Sequence, residues 1–271
     1  MYSFVHKNRF KYRVKKLCRV MGVSRSGYYK WLIRKPGKRA KRRKHLKIRI
    51  RYHFEGFKRR YGSPKIAAKL REEGWIVATK TVASLMKKMG LVSCVVKKYK
   101  ATTNSKHTLP VYENVLNREF KVVKPHYAWV ADITYVPTSE GWVYLATLMD
   151  LYSRKIVGWA MNDRINKELT LAALNDAYER ENPGPGLIHH SDRGSQYASN
   201  EYRAQLEIYG MVGSMSRKGN CYDNACIESF HSVLKKELVY QTKFRSRKQA
   251  YEALNGYIEL EYNRIRIHST L

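Results

Sequence analysis

The pattern of apolar and polar residues changes near the middle of the chain. In residues 1–96, apolar positions recur at helical spacing within short segments, which predicts amphipathic helices. From residue 126 onward, short apolar runs bounded by turn residues predict strands that alternate with helical segments. We therefore expect an all-α region followed by an α/β domain.

The all-α region begins with a helical segment and a charged stretch. Residues 1–35 predict a helix, a tight turn at Gly22 and a second helix capped by Ser24 or Ser26, which resembles a helix-turn-helix. Residues 36–44 (PGKRAKRRK) start with two helix-breaking residues. We interpret that stretch as a basic linker.

Residues 45–96 contain three predicted helices, and the last two are spaced as in a helix-turn-helix DNA-binding domain. Pro64 suits the first position of the middle helix, with Ser63 as its N-cap. The final helix combines an apolar stripe with lysines and small polar residues. An ordinary basic helical hairpin stays open as the alternative. Residues 97–125 are polar and weakly periodic, and we interpret them as a linker along the surface.

Residues 126–271 predict an α/β domain with a mixed sheet flanked by helices. The runs WVADITYVP, WVYLATLMD and KIVGWAM predict three antiparallel strands. A helix over 167–180, the strand LIHH, a helix over 200–209 and the strand MVGSM follow. Two helices, over 223–240 and 246–262, close the predicted order.

The charge, like the hydrophobic pattern, differs between the N-terminal and C-terminal parts of the chain. The formal net charge is +31; residues 1–125 hold 36 Lys and Arg against 5 Asp and Glu, whereas residues 126–271 hold 17 of each sign. A region this basic attracts polyanions, and counterion release favours nucleic acid. A membrane surface fits poorly, because no apolar run approaches membrane-spanning length and no signal peptide opens the chain. The four cysteines form neither a CxxC pair nor a zinc pattern, so we expect reduced thiols in the cytoplasm.

These features indicate double-stranded DNA as the partner. The residues that we expect to contact it are basic or small and polar, in the two helices of the helix-turn-helix and in the loop SMSRKGNCYDN. They are Lys65, Lys80, Thr81, Ser84, Lys87, Lys88, Arg217 and Lys218. For the loop, a solvated basic segment is the competing interpretation.

Three carboxylates lie in contexts that suit one divalent-metal site. Asp132 lies mid-strand, where an unpaired carboxylate is costly. Asp192 follows the strand LIHH and leads into a glycine-containing loop, where α/β sheets often bind ligands. Glu228 lies on the polar stripe of a helix whose other stripe is apolar. A metal that activates water against phosphate needs such oxygen ligands on rigid elements. The pair His189–His190 more often packs at a strand end than binds metal.

Four motifs of the C-terminal part resemble those of the transposases of IS-three-type bacterial insertion sequences. They are WVADITYVP, HHSDRGSQY, SMSRKGNCYDNACIESF and YNRIRIH. YGSPKIAAKL and GVSRSGYYKWL resemble the N-terminal DNA-binding region of the same family. The resemblance covers essentially the whole chain and includes 35 residues between the second and third carboxylates. It places the chain in the wider superfamily of DDE transposases and retroviral integrases.

The resemblance implies an RNase H-like core that binds two Mg²⁺ ions, for which Mn²⁺ can substitute. Asp132, Asp192 and Glu228 carry over as the catalytic metal ligands, with Asn224 and Lys235 as supporting residues near the site. Family enzymes cut one strand at an element end and then join the freed 3′-hydroxyl to DNA. Their partners are the terminal inverted repeats and target DNA in the bacterial cytoplasm, at the nucleoid. A homodimer or higher oligomer on DNA is implied.

Three departures accompany the resemblance. The zinc module of retroviral relatives is missing, which argues against a viral integrase. Family members usually continue beyond the final HSTL with a glycine-containing tail, so we expect a truncated C-terminus. No leucine zipper is present, so the chain resembles the downstream reading-frame product, to which an upstream product can be fused. Two alternative functions stay open. The chain could be a catalytically inactive DNA-binding repressor, or an RNase H-like nuclease that does not join DNA.

Overall fold

The fold is known from a computed structural model, which describes residues 1–33, 37–94 and 109–267 apart from the Cys221 side chain. Two compact units make up the chain, Met1–Ser93 and Cys94–Leu271. Parts of several predicted segments lie outside the described residues. These are residues 34–36, at the junction of the 1–35 segment and the 36–44 linker, residues 95–96, residues 97–108 of the 97–125 linker, and the chain end at 268–271.

In its described residues, the N-terminal unit contains helices and turns but no strands, as expected. Its helices are α1 (Tyr2–Asn8), α2 (Val14–Val20), α3 (Arg25–Leu32), α4 (Lys38–Gly56), α5 (Ser63–Glu72) and α6 (Thr79–Lys88). Helices α1 to α3 enclose a small core in which Val5 and Tyr28 are almost fully buried. Ser24 caps α3 by accepting a hydrogen bond from the Gly27 amide, 3.0 Å away, which confirms one of the two expected caps.

Two local expectations in this unit are wrong. Helix α4 starts at Lys38, so residues 38–44 are helical and do not form a linker. Gly37 provides the N-cap position, and the Lys, Arg and Ala residues that follow have high helix propensity. Helix α5 takes Gly62 as its N-cap, which moves Ser63 into the first turn beside Pro64. Both differences concern helix ends, where local sequence is least decisive.

The C-terminal unit is a five-stranded mixed sheet with helices on both faces, as expected. The strands are β1 (Ala128–Thr138), β2 (Gly141–Asp150), β3 (Ile156–Asn162), β4 (Ile188–Ser191) and β5 (Val212–Met215), in the order β3-β2-β1-β4-β5. Strands β1, β2 and β3 are antiparallel, whereas β4 is parallel to both β1 and β5. Strand β1 is therefore central.

The helices of this unit form one layer on each face of the sheet. They are α7 (Lys167–Glu181), α8 (Asn200–Ile208), α9 (Ala225–Glu237) and α10 (Arg247–Gly256), and a π-helical segment, Tyr257–Ile265, follows α10. Helices α7 and α8 cover the face that contains Trp129, while α9 and α10 cover the face that contains Val130. At Gly158 an added Cβ would lie 2.4 Å from that of Ala177, so glycine lets α7 approach β3 closely.

The segment before β1 is more than a surface linker. Leu116 is 1% exposed and belongs to the core beneath α9, and Phe120 and Val122 pack against the same core. The Leu116 amide also donates a hydrogen bond to the Ser214 hydroxyl, 3.1 Å away. The expectation of a surface linker is therefore wrong for this part, because a few apolar residues anchor an otherwise polar segment. Among the described residues, no helix has the length and apolar character needed to cross a membrane.

Candidate active site

Asp132 and Asp192 lie at corresponding positions of neighbouring parallel strands. Ala131 of β1 pairs with Ser191 of β4, and each carboxylate is carried by the next residue along its chain. Asp132 Oδ1 accepts a hydrogen bond from the Ile133 amide, 2.8 Å away. Asp192 Oδ1 accepts one from the Gly194 amide, 2.9 Å away. The parallel pairing of β1 and β4 thus brings together two residues that are distant in sequence.

Glu228 reaches the same region from the first turn of α9. Burial raises the pKa of Asp192 to about 7, and the charges of Asp132 and Glu228 add to that rise. Burial also raises the pKa of Glu228, and the charge of Asp132 adds to it. Each of the three carboxylates therefore experiences the negative charge of another. They occupy one region of the molecule.

The three carboxylates are neighbours, but among the described residues they do not form a complete group of metal ligands. Across residues 1–33, 37–94 and 109–267, no three His, Cys, Asp or Glu side chains form a group that could hold a metal ion. Like charges repel at short range in a partly buried setting. The arrangement is a set of neighbouring acidic side chains on rigid elements.

Two further buried oxygen atoms belong to residues near these carboxylates, and a hydrated cation would supply the partners that they lack. Asn224 Oδ1 and the Tyr197 hydroxyl have no hydrogen-bond partner among the described residues. Burial and Tyr202 raise the pKa of Tyr197, and the charges of Asp132 and Asp192 do the same. Buried polar atoms normally have partners. An all-oxygen set of carboxylate, amide and hydroxyl groups is what Mg²⁺ and its bound waters prefer.

Asn224 and Lys235, the expected supporting residues, both lie near Asp132. Asn224 Nδ2 donates a hydrogen bond to the Ala131 carbonyl, 2.9 Å away, just before Asp132. Lys235 Nζ lies 4.3 Å from the centre of the Tyr135 ring. Burial lowers the pKa of Lys235, while the charge of Asp132 acts in the opposite direction.

Asp223 is a buried structural residue before α9 whose contacts the sequence did not reveal. Its side chain is fully buried, and it accepts hydrogen bonds from Arg118 Nε at 2.6 Å and from Asn114 Nδ2 at 3.1 Å. The backbone amide and guanidinium of Arg217 bind the same carboxylate at 2.8 to 2.9 Å. The hydrogen bond from Arg217 holds the pKa of Asp223 well below its usual range. This cluster fixes the turn that leads into α9, and hence the helix that carries Glu228.

The two basic residues of this loop lie in different environments. Arg217, expected on a DNA phosphate, is half-exposed, but its guanidinium is paired with Asp223. Lys218 is exposed. Because the Arg217 side chain stays 49% exposed beside Asp223, its contact with DNA phosphate remains a prediction, as does that of Lys218.

The expected DNA-contacting residues of α6 share the exposed side of an amphipathic helix. Val82, Leu85 and Met86 are buried. The exposed residues are Lys80, Thr81, Ser84, Lys87 and Lys88. Lys65 of α5 is half-buried, with its Nζ 4.9 Å from the centre of the Tyr61 ring. Exposure leaves these side chains available to DNA, and their role as base or phosphate contacts remains a prediction.

His189 and His190 are packing residues, as expected. Both are buried in β4, where His189 Nε2 lies 2.9 Å from the Tyr202 hydroxyl. His190 lies between two hydroxyls, with Nδ1 2.9 Å from Ser214 Oγ and Nε2 3.1 Å from Ser216 Oγ. Burial lowers the pKa of His189 to about 3 and that of His190 to about 4. Both rings are therefore neutral at physiological pH.

Comparison with protein families agrees with this division of the chain. Residues 41–99 match a family described as an HTH-like domain. Residues 122–221 and 209–271 match two families that are both described as an integrase core domain. A solved simian T-cell lymphotropic virus intasome, in complex with a regulatory subunit of PP2A, covers 77% of this chain and 68% of its own, with a TM-score of 0.47 and 15% identity.

Individual relatives match over nearly the full length. The chain is 46% identical over 255 residues to an uncharacterized 31 kDa protein of insertion element IS600 from Shigella sonnei, with 94% of each chain covered. It is 40% identical over 270 residues to the transposase InsF of insertion sequence IS3A from Escherichia coli K12, with 99% of this chain and 94% of the relative covered. With this identity over almost all of its length, the chain belongs to the IS3 family of insertion-sequence transposases.

Proposed function

We propose that the chain nicks the ends of its insertion sequence by metal-dependent phosphodiester hydrolysis and then joins the freed 3′-hydroxyl to DNA. The observation that supports this most directly is the mutual electrostatic influence of Asp132, Asp192 and Glu228 in one region of the sheet. These three residues are the proposed ligands. When bound, a pair of Mg²⁺ or Mn²⁺ ions would supply Lewis acidity for both steps.

The proposed reaction consists of two displacements at phosphorus. In the first, a water oxygen bonds to phosphorus and the bond to the 3′-oxygen breaks, which leaves a 3′-hydroxyl and a 5′-phosphate. In the second, that 3′-hydroxyl bonds to a phosphorus of the target DNA and displaces another 3′-oxygen, which takes up a proton. The second step conserves the number of phosphodiester bonds and needs no energy source.

The protein contributes position and charge to these steps. Strands β1 and β4 fix Asp132 and Asp192, and α9 presents Glu228 to them. Asn224 ties the start of α9 to β1 through the Ala131 carbonyl. The Lys235 ammonium lies on the side of α9 near Asp132, where it can contact DNA phosphate.

The proposed partners are the terminal inverted repeats and target DNA. The basic N-terminal half would supply most of the affinity, with base contacts from α6 and with Lys218 on backbone phosphate. Bringing two ends together requires two or more copies of the chain on DNA, and an upstream reading-frame product is a further proposed partner. The proposed place of action is the bacterial nucleoid.

The test uses oligonucleotides made from the DNA that flanks this gene, with the full chain and Mg²⁺. We expect end nicking and strand joining by the wild type and neither reaction by Asp192→Asn. Asp163→Asn is the matched control, because Asp163 is an exposed carboxylate of the same unit whose partner is Arg247. Unchanged nicking by Asp192→Asn would refute the metal-site assignment.

Two further outcomes would identify the alternative functions. Nicking without any joined product would indicate a nuclease of the same fold. Sequence-specific binding without nicking, for the wild type as well as the variant, would indicate a repressor.

A further inference from the structure

We propose that His231 is a positioning residue that holds the Asp132 carboxylate in place, and that Thr147 in turn holds His231. The inference rests on the proposed metal site, because it assigns a role in forming that site to two residues outside the ligand set. Neither residue belongs to the motifs that identify the three carboxylates.

The three side chains form a continuous chain of contacts that is buried at Thr147 and His231 and partly exposed at Asp132. His231 Nδ1 lies 3.3 Å from Asp132 Oδ2. On the other side of the ring, His231 Nε2 lies 2.9 Å from Thr147 Oγ1. His231 is 6% exposed and Thr147 is fully buried. Water therefore competes little for the contacts of His231 with Asp132 and Thr147. His231 and Thr147, both buried, serve as each other's polar partners.

The chemistry of the partners fixes where the protons lie. An ionised Asp132 carboxylate can only accept a hydrogen bond, so Nδ1 of His231 must carry a proton. In the neutral imidazole, Nε2 is then an acceptor, and the Thr147 hydroxyl donates to it. The Asp132 carboxylate thus selects this tautomer, and the Thr147 hydroxyl, which can donate or accept, gives Nε2 its partner. The hydroxyl also lies 3.4 Å from the Asp132 carbonyl, a longer and weaker contact.

The position of these residues in the fold makes the arrangement rigid. Thr147 of β2 lies directly opposite Asp132 of β1 in the antiparallel pairing. His231 lies on α9, three residues after Glu228, and so on the same side of that helix. The chain of contacts therefore connects the strand that carries the first carboxylate with the helix that carries the third.

A carboxylate that repels its neighbours needs such support to keep one orientation. Without His231, the Ile133 amide still holds Oδ1 of Asp132, but among the described residues nothing holds Oδ2 against the repulsion from Asp192 and Glu228. Hydrogen bonds from outside the ligand set orient metal ligands, and their loss typically lowers metal affinity or activity by about 10- to 100-fold. We therefore expect His231 to affect metal affinity directly, before any DNA is bound.

The test measures Mn²⁺ binding to the full-length chain without DNA, from the loss of the electron paramagnetic resonance signal of free Mn²⁺. His231→Phe keeps the ring and its packing but removes both nitrogens. His231→Asn keeps a donor at the δ position. Thr147→Val removes the hydroxyl with little change in shape, and Thr147→Ser keeps it. Ser232→Ala, at an exposed site on the same helix, is the matched control.

We expect His231→Phe to weaken Mn²⁺ binding by at least about tenfold, and Thr147→Val by less. His231→Asn, Thr147→Ser and Ser232→Ala should stay close to the wild type. Thr147→Val should cause no further loss in the His231→Phe background, because Thr147 acts through His231. Thermal unfolding of the metal-free variants confirms that each is folded. If His231→Phe does not fold, the comparison of Thr147→Val with Thr147→Ser still tests the chain of contacts.

Three outcomes would overturn the inference. Wild-type affinity in a folded His231→Phe variant would remove the role of His231. Full additivity of the two losses would show that Thr147 acts independently. Equal Mn²⁺ binding by the wild type and Asp192→Asn would overturn the metal site itself, and the inference with it. Loss of binding in Asp192→Asn but not in His231→Phe would overturn the inference alone.

Discussion

The side-chain amide of Asn224 donates a hydrogen bond to the backbone carbonyl of Ala131, 2.9 Å away, and so joins the start of α9 to the central strand. Ala131 immediately precedes Asp132, and Asn224 lies one helical turn before Glu228. The contact is buried, with Asn224 3% exposed. It therefore sets the separation between two of the three proposed ligands.

Replacing Asn224 by alanine should lower both stability and nicking activity. The substitution leaves a buried carbonyl without this donor, which costs about 1–3 kcal/mol of the free energy of unfolding. Urea denaturation measures that loss, and Asn255→Ala, at an exposed site on α10, is the control. An Asn224→Ala protein with wild-type stability and wild-type nicking would contradict the role given to this contact.

The metal-free protein should lose stability as the pH rises from about 4 to 7. In the folded state the pKa of Asp192 is raised to about 7 by burial and by the charges of Asp132 and Glu228. An unfolded Asp ionises near pH 4, so in this range the folded state binds more protons, and stability falls with rising pH. Denaturation across this range measures the slope for the wild type and for Asp192→Asn.

Asp192→Asn should show a smaller slope and a higher melting temperature at pH 7, since it removes one charge from a repulsive group. It should also lose any stabilisation by Mg²⁺, because a ligand that binds only the folded state raises its stability. Equal slopes for the two proteins would contradict the raised pKa.

Asp223→Asn should destabilise the turn before α9, most clearly above pH 4. The depressed pKa of Asp223 means that its ionised form stabilises the fold. That contribution is present above the unfolded pKa near 4 and is lost as the pH falls below it. Arg118 and Arg217 are partly exposed and can be solvated after the change, so we expect a loss of about 1–3 kcal/mol.

The measurement for Asp223 is denaturation at pH 7 and at pH 3. The difference between wild type and Asp223→Asn should be smaller at pH 3 than at pH 7. Asp163→Asn serves as the exposed control, for which the expected change is within about 0.5 kcal/mol. A difference that grows at low pH would contradict the account.

Lysines on the exposed side of α6 should contribute to the salt dependence of DNA binding. If Lys87 and Lys88 both contact phosphate, replacing both by alanine should reduce the slope of log affinity against log salt by about 2. Lys69→Ala is the control, because Lys69 pairs with Glu72 at 2.7 Å. Fluorescence anisotropy with end DNA between low and moderate salt provides the slopes. An unchanged slope would place the phosphate contacts elsewhere.

Much of the fold can be predicted from local patterns in the sequence, namely hydrophobic periodicity and turn residues. The strands around Asp132 and the stripe of α9 that contains Glu228 rest on periodicity and turn residues, and both lie where they were expected. A shared site for Asp132 and Asp192 was predicted from their strand contexts and from the motif resemblance. The physical cause of their proximity is the parallel pairing of two strands that are distant in sequence.

The contacts that sequence reasoning missed connect distant residues of ordinary type. Arg118 and Asp223 are 105 residues apart, and nothing in their local sequence indicates that they meet. Thr147 reads as one polar residue in an apolar strand, although its burial opposite Asp132 could have been inferred from the strand alignment. His231 lay on the noted polar stripe, but its partner became visible only when α9 was placed on the sheet.

The attachment of the segment around Leu116 and Arg118 has a practical consequence for chimeric enzymes. Because this segment is fastened to the turn before α9 and to the core beneath that helix, it belongs with the downstream half. Tyr112 packs against the core beneath α7 and α8, so a graft that exchanges the DNA-recognition module of one insertion element for another should place its junction upstream of Tyr112. A junction placed at the start of β1 would exchange Leu116 and Arg118 together with the module, and so would remove the contacts that hold the turn before α9.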